Sequence, residues 1–185
     1  MANANDLELM NQVESVVYDA DTIARRVREL GAEVTAFYPS GDLLLLGTLK
    51  GSFMFMADLA RAISRPLQID FVVAASYGSG TTSGGVVELR YEPEGGFEGK
   101  HVLVVEDIVD SGTTLNRIAR LLAARNPLSL EVCTLLHKRL APEVALEPRF
   151  VGFEAPHDFL VGYGLDFAED YRHLPYIGRL KTENG

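Results

Sequence analysis

Cysteine is nearly absent from this chain. Its 185 residues include only Cys133, so no internal disulfide can form. Zinc sites built from four cysteines, or from two cysteines and two histidines, are excluded as well. Nothing asks for an oxidising compartment. The histidines His101, His137, His157 and His173 show no metal-ligand spacing, which argues against a zinc hydrolase. Long apolar runs are missing too. Leu43–Leu46, Phe53–Ala57 and Phe71–Ala75 fall far short of the ~20 residues that cross a bilayer. The N-terminus carries Asp6 and Glu8 and lacks the basic start and apolar block of a signal peptide. A cytoplasmic location with no membrane contact is therefore expected. Positive charge is in deficit, with 17 Lys+Arg against 26 Asp+Glu, a net charge of −9 and a pI near 4.9. That balance argues against a nucleic-acid partner, which normally selects a basic face. No repeat or linker is visible, so residues 1–185 are expected to form one domain. Its core spans about 16–148 and a smaller lobe about 149–185.

What is present is an alternation of helical and strand patterns. Residues 1–12 read as a polar arm. From Asp19 or Asp21, either of which can cap a helix, Ile23, Val27 and Leu30 fall on one face and Gly31 ends the segment. Leu43–Gly47 is too short for a helix and reads as a strand buried on both faces. Ser52 can cap a second helix over about Phe53–Ile63, apolar almost all round and so expected to be central. Ile69–Ala75 is a β-branched strand. Ser76–Gly85, rich in glycine and hydroxyl residues, reads as a long mobile loop, and Val86–Tyr91 returns from it as the other arm of a hairpin. His101–Val105 is a third buried strand, followed by a helix with Leu115, Ile118, Ala119 and Leu122 at helical spacing, ending at Asn126-Pro127. Leu130–Leu136, Phe150–Phe153 and Leu160–Tyr163 are further strands. The pattern predicts an α/β fold with a mostly parallel twisted sheet flanked by helices.

The segment after the third strand carries the chemistry. Glu106-Asp107-Ile108-Val109-Asp110-Ser111-Gly112-Thr113-Thr114 stands where ligands bind in open parallel sheets, at the carboxyl ends of strands. Ser111, Gly112, Thr113 and Thr114 offer backbone amides and hydroxyls at a helix start, a composition suited to phosphate. The acidic pair Glu106-Asp107 would repel a phosphate but suits a divalent cation or the hydroxyls of a sugar. Gly78–Ser83 lacks the third glycine of a dinucleotide fingerprint and the Gly-Lys pair of a Walker loop.

This string resembles the phosphoribosyl-pyrophosphate motif of the type I phosphoribosyltransferases, and more narrowly the bacterial hypoxanthine and hypoxanthine–guanine members. The resemblance runs from about Val16 to Lys181 and rests on separate blocks in order. Leu49-Lys50-Gly51-Ser52-Phe53 looks like the pyrophosphate loop, whose Leu49–Lys50 bond can be cis in that family. Ser76-Tyr77-Gly78-Ser79-Gly80-Thr81 looks like the catalytic flexible loop. Leu136-His137-Lys138-Arg139 is similar to the base-recognition strand end. Val151–Glu154, Phe159–Asp166 and Tyr171–Tyr176 resemble the C-terminal hood.

The resemblance implies transfer of ribose 5-phosphate from phosphoribosyl pyrophosphate to a 6-oxopurine, hypoxanthine or guanine, giving IMP or GMP and pyrophosphate. It assigns the 5′-phosphate to Asp110, Ser111, Gly112, Thr113 and Thr114, and the general base to Asp110. Glu106 and Asp107 would face the ribose hydroxyls and Mg²⁺, and Asp166, at the purine site, would ligate a second metal ion, directly or through water. Lys50, Gly51 and Arg172 would hold pyrophosphate. Lys138, a donor only, would read the purine carbonyl. Phe159 and Ile108 would pack on the two faces of the base, with the Leu160 backbone at its edge. Ser76 and Tyr77 would belong to a lid. A homodimer or homotetramer is implied. Ser52 and Thr113 depart from the vertebrate-type pattern, which has Gly and Lys there, and fit a bacterial type. The alternatives are a xanthine- or guanine-preferring enzyme, or a nucleotide-sensing regulator on the same fold.

Overall fold

The computed structural model describes residues 12–76, 87–89, 96–138 and 146–181. Its centre is a six-stranded sheet in the order β4-β3-β2-β5-β6-β7. The strands are β2 (Asp42–Leu49), β3 (Gln68–Ser76), β4 (Val87–Leu89), β5 (Lys100–Val109), β6 (Ser129–His137) and β7 (Phe150–Glu154). The five strands from β3 to β7 across the sheet run parallel. Only β4, at the edge, is antiparallel, pairing Ser76 with Val87 and Ala74 with Leu89. That is the expected hairpin. The loop beyond Ser76, with Tyr77, lies outside the described residues, as do the N-terminal arm up to Asn11 and Arg139.

Parallel strands need crossovers, and among the described residues three helices cover the sheet: α1 (Ala20–Phe37), α2 (Phe53–Ala62) and α3 (Thr113–Ala123). The leucine run of β2 shows why both faces must be covered. Leu43 and Leu45 enter one core with Ile23, Val27 and Leu30 of α1 and Phe55 and Leu59 of α2. Leu44 and Leu46 enter the other with Leu115, Ile118 and Leu122 of α3. The period of two in β2 divides its side chains between the layers. No helix among the described residues is long and apolar enough to cross a membrane.

Several elements differ from their expected form. Asp19 caps α1, its Oδ1 accepting from the Thr22 amide at 2.7 Å, but Gly31 does not end the helix. It sits inside α1 where a Cβ would lie 2.5 Å from the Ala62 Cβ and 2.6 Å from its backbone, so glycine permits the close crossing of α1 and α2. Ser52 is itself helical and makes no side-chain cap bond; its hydroxyl donates back to the Thr48 carbonyl at 2.7 Å. Nor is α2 central, because Phe53 and Met54 are exposed. Val13–Tyr18, over which the sequence reading places no element, forms β1. This strand pairs with β9 (Ile177–Leu180), which also pairs with β8 (Leu160–Val161), giving a separate three-stranded sheet. Alternation in VESVVY is too weak to announce a strand; its partner lies more than 150 residues away.

Gly31→Ala separates two opposing effects. In an open helix the change stabilises by about 0.5–1 kcal/mol, but here the new methyl meets backbone, and overpacking costs about 1–3 kcal/mol. A net loss of stability in urea unfolding is expected; a gain would contradict the close crossing.

Candidate active site

The strand order reverses between β2 and β5. From β2 the chain moves one way to β3, whereas β5 lies on the other side. Loops leaving the carboxyl ends of two such strands part from each other and leave a crevice. Here those loops are 50–52 after β2 and 110–112 after β5, so topology alone brings together the two sequence blocks expected to bind anions.

The loop after β5 leads into α3 through Gly112, which has φ 71° and ψ −3°. This left-handed conformation is one that glycine adopts without penalty. Gly112 has no side chain to cap the helix; the Thr113 amide donates to Ser111 Oγ at 3.4 Å, and the first turn, whose amides have no intrahelical acceptor, lines a cleft. Its carbonyl accepts from the Asn116 amide at 2.8 Å. Ser111 Oγ donates to Thr113 Oγ1 at 3.1 Å. The cleft measures about 210 Å³ and is lined by 106–115. All residues of the expected phosphate cradle, Asp110 through Thr114, are in its wall.

Glu106 and Asp107 lie on β5 itself rather than in the loop, because the strand continues to Val109. Burial pushes the Glu106 carboxyl up to about 8, partly offset by the Thr48 hydroxyl. That hydroxyl lies 2.5 Å from Glu106 Oε2 and 3.2 Å from the Val105 carbonyl. A hydroxyl has one proton to give, and the shorter contact shows Thr48 donating to Glu106 Oε2. The other oxygen, Glu106 Oε1, is buried without a hydrogen-bond partner. Desolvation raises Asp107 as well, opposed by the Ile108 amide and by Arg172. A buried acceptor without a donor beside a second carboxylate fits a hard cation such as Mg²⁺, which is commonly held through one or two carboxylates plus substrate oxygens. Asp166 does not join them as a third ligand. Its Oδ1 pairs with Arg172 at 2.8 Å and its Oδ2 accepts from the Glu169 amide at 2.9 Å. Among the described residues, no group of three or more His, Cys, Asp or Glu side chains is set to hold a metal ion.

Asp110 and Lys138 come from the ends of neighbouring strands, β5 and β6, and meet. Lys138 Nζ lies 3.3 Å from Asp110 Oδ2, with the lysine side chain largely buried and the aspartate exposed. The Lys138 amide donates to the Val109 carbonyl at 2.9 Å, which extends the β5–β6 ladder by one residue and fixes where the ammonium starts.

The opposite wall is the loop after β2. The Leu49–Lys50 peptide is cis. A Cβ at Gly51 would overlap the Asp107 carboxylate. A Cβ at Gly164, which has φ 101°, would overlap the Gly51 carbonyl. The two glycines let two backbones and the Asp107 carboxylate close on one point. Arg172 donates to the Gly164 carbonyl at 2.7 Å, and Lys50 pairs with Glu169 at 2.8 Å. The expected pyrophosphate ligands Lys50, Gly51 and Arg172 thus stand together with the hood. Phe159 is 46% exposed and meets Phe167 edge-on at 5.5 Å, leaving ring surface open for stacking. Leu160 is buried in β8, and Ile108 packs against the same core. Ser76 ends β3. Sequence reasoning missed Thr48, Gly164, Phe167 and Glu169. Gly164 follows Gly162 in a glycine-rich stretch, a usable signal; the other three have roles that depend on contacts distant in sequence.

Comparison with known proteins agrees with this geometry. The model of the phosphoribosyl transferase domain matches residues 15–168. The hypoxanthine phosphoribosyltransferase of Salmonella typhimurium is 44% identical, covering 93% of this chain and 97% of the relative. The hypoxanthine-guanine phosphoribosyltransferase of Mycobacterium tuberculosis is 47% identical, covering 91% and 86%. A crystal structure of a hypoxanthine phosphoribosyltransferase from Staphylococcus aureus superposes with a TM-score of 0.88 at 43% identity, covering 94% and 95%. With the switch-point cleft, the amide cradle and a matching family model over most of its length, the chain belongs to the phosphoribosyltransferase family.

Proposed function

We propose that this protein serves purine salvage. It transfers 5-phosphoribosyl from phosphoribosyl pyrophosphate to hypoxanthine or guanine, giving IMP or GMP and pyrophosphate. The observation that carries this reading is the Asp110–Lys138 pair beside the amide cradle. A 6-oxopurine presents a carbonyl O6 next to N7 on one edge. Lys138 donates to O6 while Asp110 accepts the N7 proton. Adenine has an amino group at that position and offers a second donor to a donor, a mismatch that buried polar sites reject strongly.

The reaction forms the N9–C1′ bond and breaks the bond from C1′ to pyrophosphate, which leaves with its electron pair. The amides of Ser111, Gly112, Thr113 and Thr114 hold the 5′-phosphate, so C1′ is fixed relative to the base. As N9 gives up electrons to C1′, N7–H becomes more acidic and its proton passes to the Asp110 carboxylate. Phe159 and Ile108 sandwich the base, and the Leu160 backbone bonds its edge. Lys50, Gly51 and Arg172 receive the pyrophosphate. Glu106 and Asp107 would face the ribose hydroxyls and hold Mg²⁺, and Asp166 would ligate a second ion, directly or through water. When bound, Mg²⁺ supplies charge neutralisation of the leaving pyrophosphate. A lid including Ser76 and Tyr77 keeps water from the electron-poor C1′. Family likeness further supports a cytoplasmic homodimer or homotetramer, each chain a single domain with a hood.

A panel of hypoxanthine, guanine, xanthine and adenine, each with phosphoribosyl pyrophosphate and Mg²⁺, tests the reading. Turnover of hypoxanthine or guanine and none of adenine is expected. No turnover with any base would overturn it. Preferential turnover of xanthine would shift the base assignment. In the same panel Lys138→Ala should lose most discrimination against adenine; intact discrimination would remove Lys138 from base reading. Asp110→Asn should lower turnover by roughly 10²–10⁴-fold while binding of phosphoribosyl pyrophosphate, measured by calorimetry, is kept. Near-wild-type turnover would refute the base assignment.

A further inference from the structure

The proposed pyrophosphate cations already hold an anion. Lys50 Nζ lies 2.8 Å and an Arg172 Nη 3.5 Å from the same oxygen, Glu169 Oε2. One anionic oxygen bridging two cations is the arrangement a diphosphate oxygen would take there. The pair is accessible: the Lys50 and Glu169 side chains are 68% and 65% exposed, so the carboxylate can swing away into water without loss of packing. Arg172, by contrast, is held independently by Asp166 and the Gly164 carbonyl. It stays in place when Glu169 leaves.

The backbone that presents Glu169 is unusual. Phe167 and Asp170 exchange both main-chain hydrogen bonds, at 3.3 and 3.0 Å, closing a tight turn with Ala168 at φ 52° and Glu169 at φ 71°. Turns with two successive positive φ values favour Asn and Gly at those positions. Ala and Glu there are a costly choice, and non-glycine residues held in this region cluster at functional sites. The Glu169 amide is also anchored on Asp166 Oδ2, so the turn is fixed to the residue that clamps Arg172.

We infer that Glu169 is an internal competitor for the pyrophosphate subsite, a carboxylate that diphosphate oxygens must displace from Lys50 and Arg172 and that reclaims both cations as pyrophosphate departs. It sets the affinity for phosphoribosyl pyrophosphate and pyrophosphate without touching the purine. The inference rests on the assignment of Lys50 and Arg172 to pyrophosphate made above.

The test compares the full-length wild-type protein with Glu169→Gln, which removes the charge at constant shape, and Glu169→Asn, which is neutral and accepts a left-handed backbone. Inorganic pyrophosphate binding in the presence of Mg²⁺ is measured by calorimetry, and KM is measured for phosphoribosyl pyrophosphate and for hypoxanthine. Since exposed ion pairs are weak individually, both variants should bind pyrophosphate about 2- to 10-fold more tightly and show a matching fall in KM for phosphoribosyl pyrophosphate. KM for hypoxanthine should not move. Unchanged or weaker pyrophosphate binding in both variants would overturn the inference and make Glu169 a support that positions Lys50. If the wild-type protein neither binds pyrophosphate nor turns over phosphoribosyl pyrophosphate, the underlying site assignment fails with it. If wild type does both and the variants show no tightening, only the role of Glu169 falls.

Discussion

The parallel pairing of β2 with β5 is the constraint on which the site depends. Its register sets Gly47 opposite Val105, so the next residues, Thr48 and Glu106, meet across the ladder and bond. One step further, the β2 loop turns at Lys50 and Gly51, and Gly51 comes against the Asp107 carboxylate. Two steps beyond that, β5 ends and the amide cradle begins. A slip of one residue would turn Thr48 and Glu106 to opposite faces. It would also put Leu43 to Leu46 on the wrong cores. The leucine run therefore does more than fill space. By committing alternate side chains to two helical layers it fixes the register that aligns the loop after β2 with the start of α3.

Electrostatics at this junction are arranged in patches rather than as one field. A net charge of −9 taken as one field opposes the approach of a substrate with several phosphates. Within the site, however, the groups proposed to meet the anions are backbone amides, whose partial charges do not register in the count, together with Lys50, Lys138 and Arg172. The acids Glu106 and Asp107 are separated from the cradle by Ile108 and Val109 and are desolvated, a setting that suits a cation. Asp166 and Glu169 hold Arg172 and Lys50. Charge at the site is thus local and paired, and the whole-chain sum predicts only that a long phosphate track is absent.

Much of this was legible in the sequence, for identifiable reasons. The parallel strands were readable because each carries an apolar run, which in β2, β5 and β6 is buried on two faces. The helix after Gly112 was readable because Leu115, Ile118, Ala119 and Leu122 repeat at its period, and all four are buried. The acidic-hydroxyl string was long enough to be specific. What escaped depended on partners far along the chain. Gly31 reads locally as a helix stop, and only α2 shows that it is a crossing point. Val13–Tyr18 is exposed on much of its surface, so its strand character comes from β9. Ser52 looks like a cap by type, yet its hydroxyl turns back to Thr48. Thr48 and Glu169 carry no pattern at all, because their importance lies in which carboxylate or cation the fold brings to them.

The central claim is that one crevice binds phosphate on the α3 amides while Lys138 and Asp110 read the purine edge. A crystal structure of the protein with IMP tests it most directly. The account predicts the 5′-phosphate within hydrogen-bonding distance, about 2.7–3.2 Å, of the amides of residues 111–114, with O6 on Lys138 and N7 on Asp110. A nucleotide whose phosphate lies elsewhere, or whose O6 points away from Lys138, would contradict it.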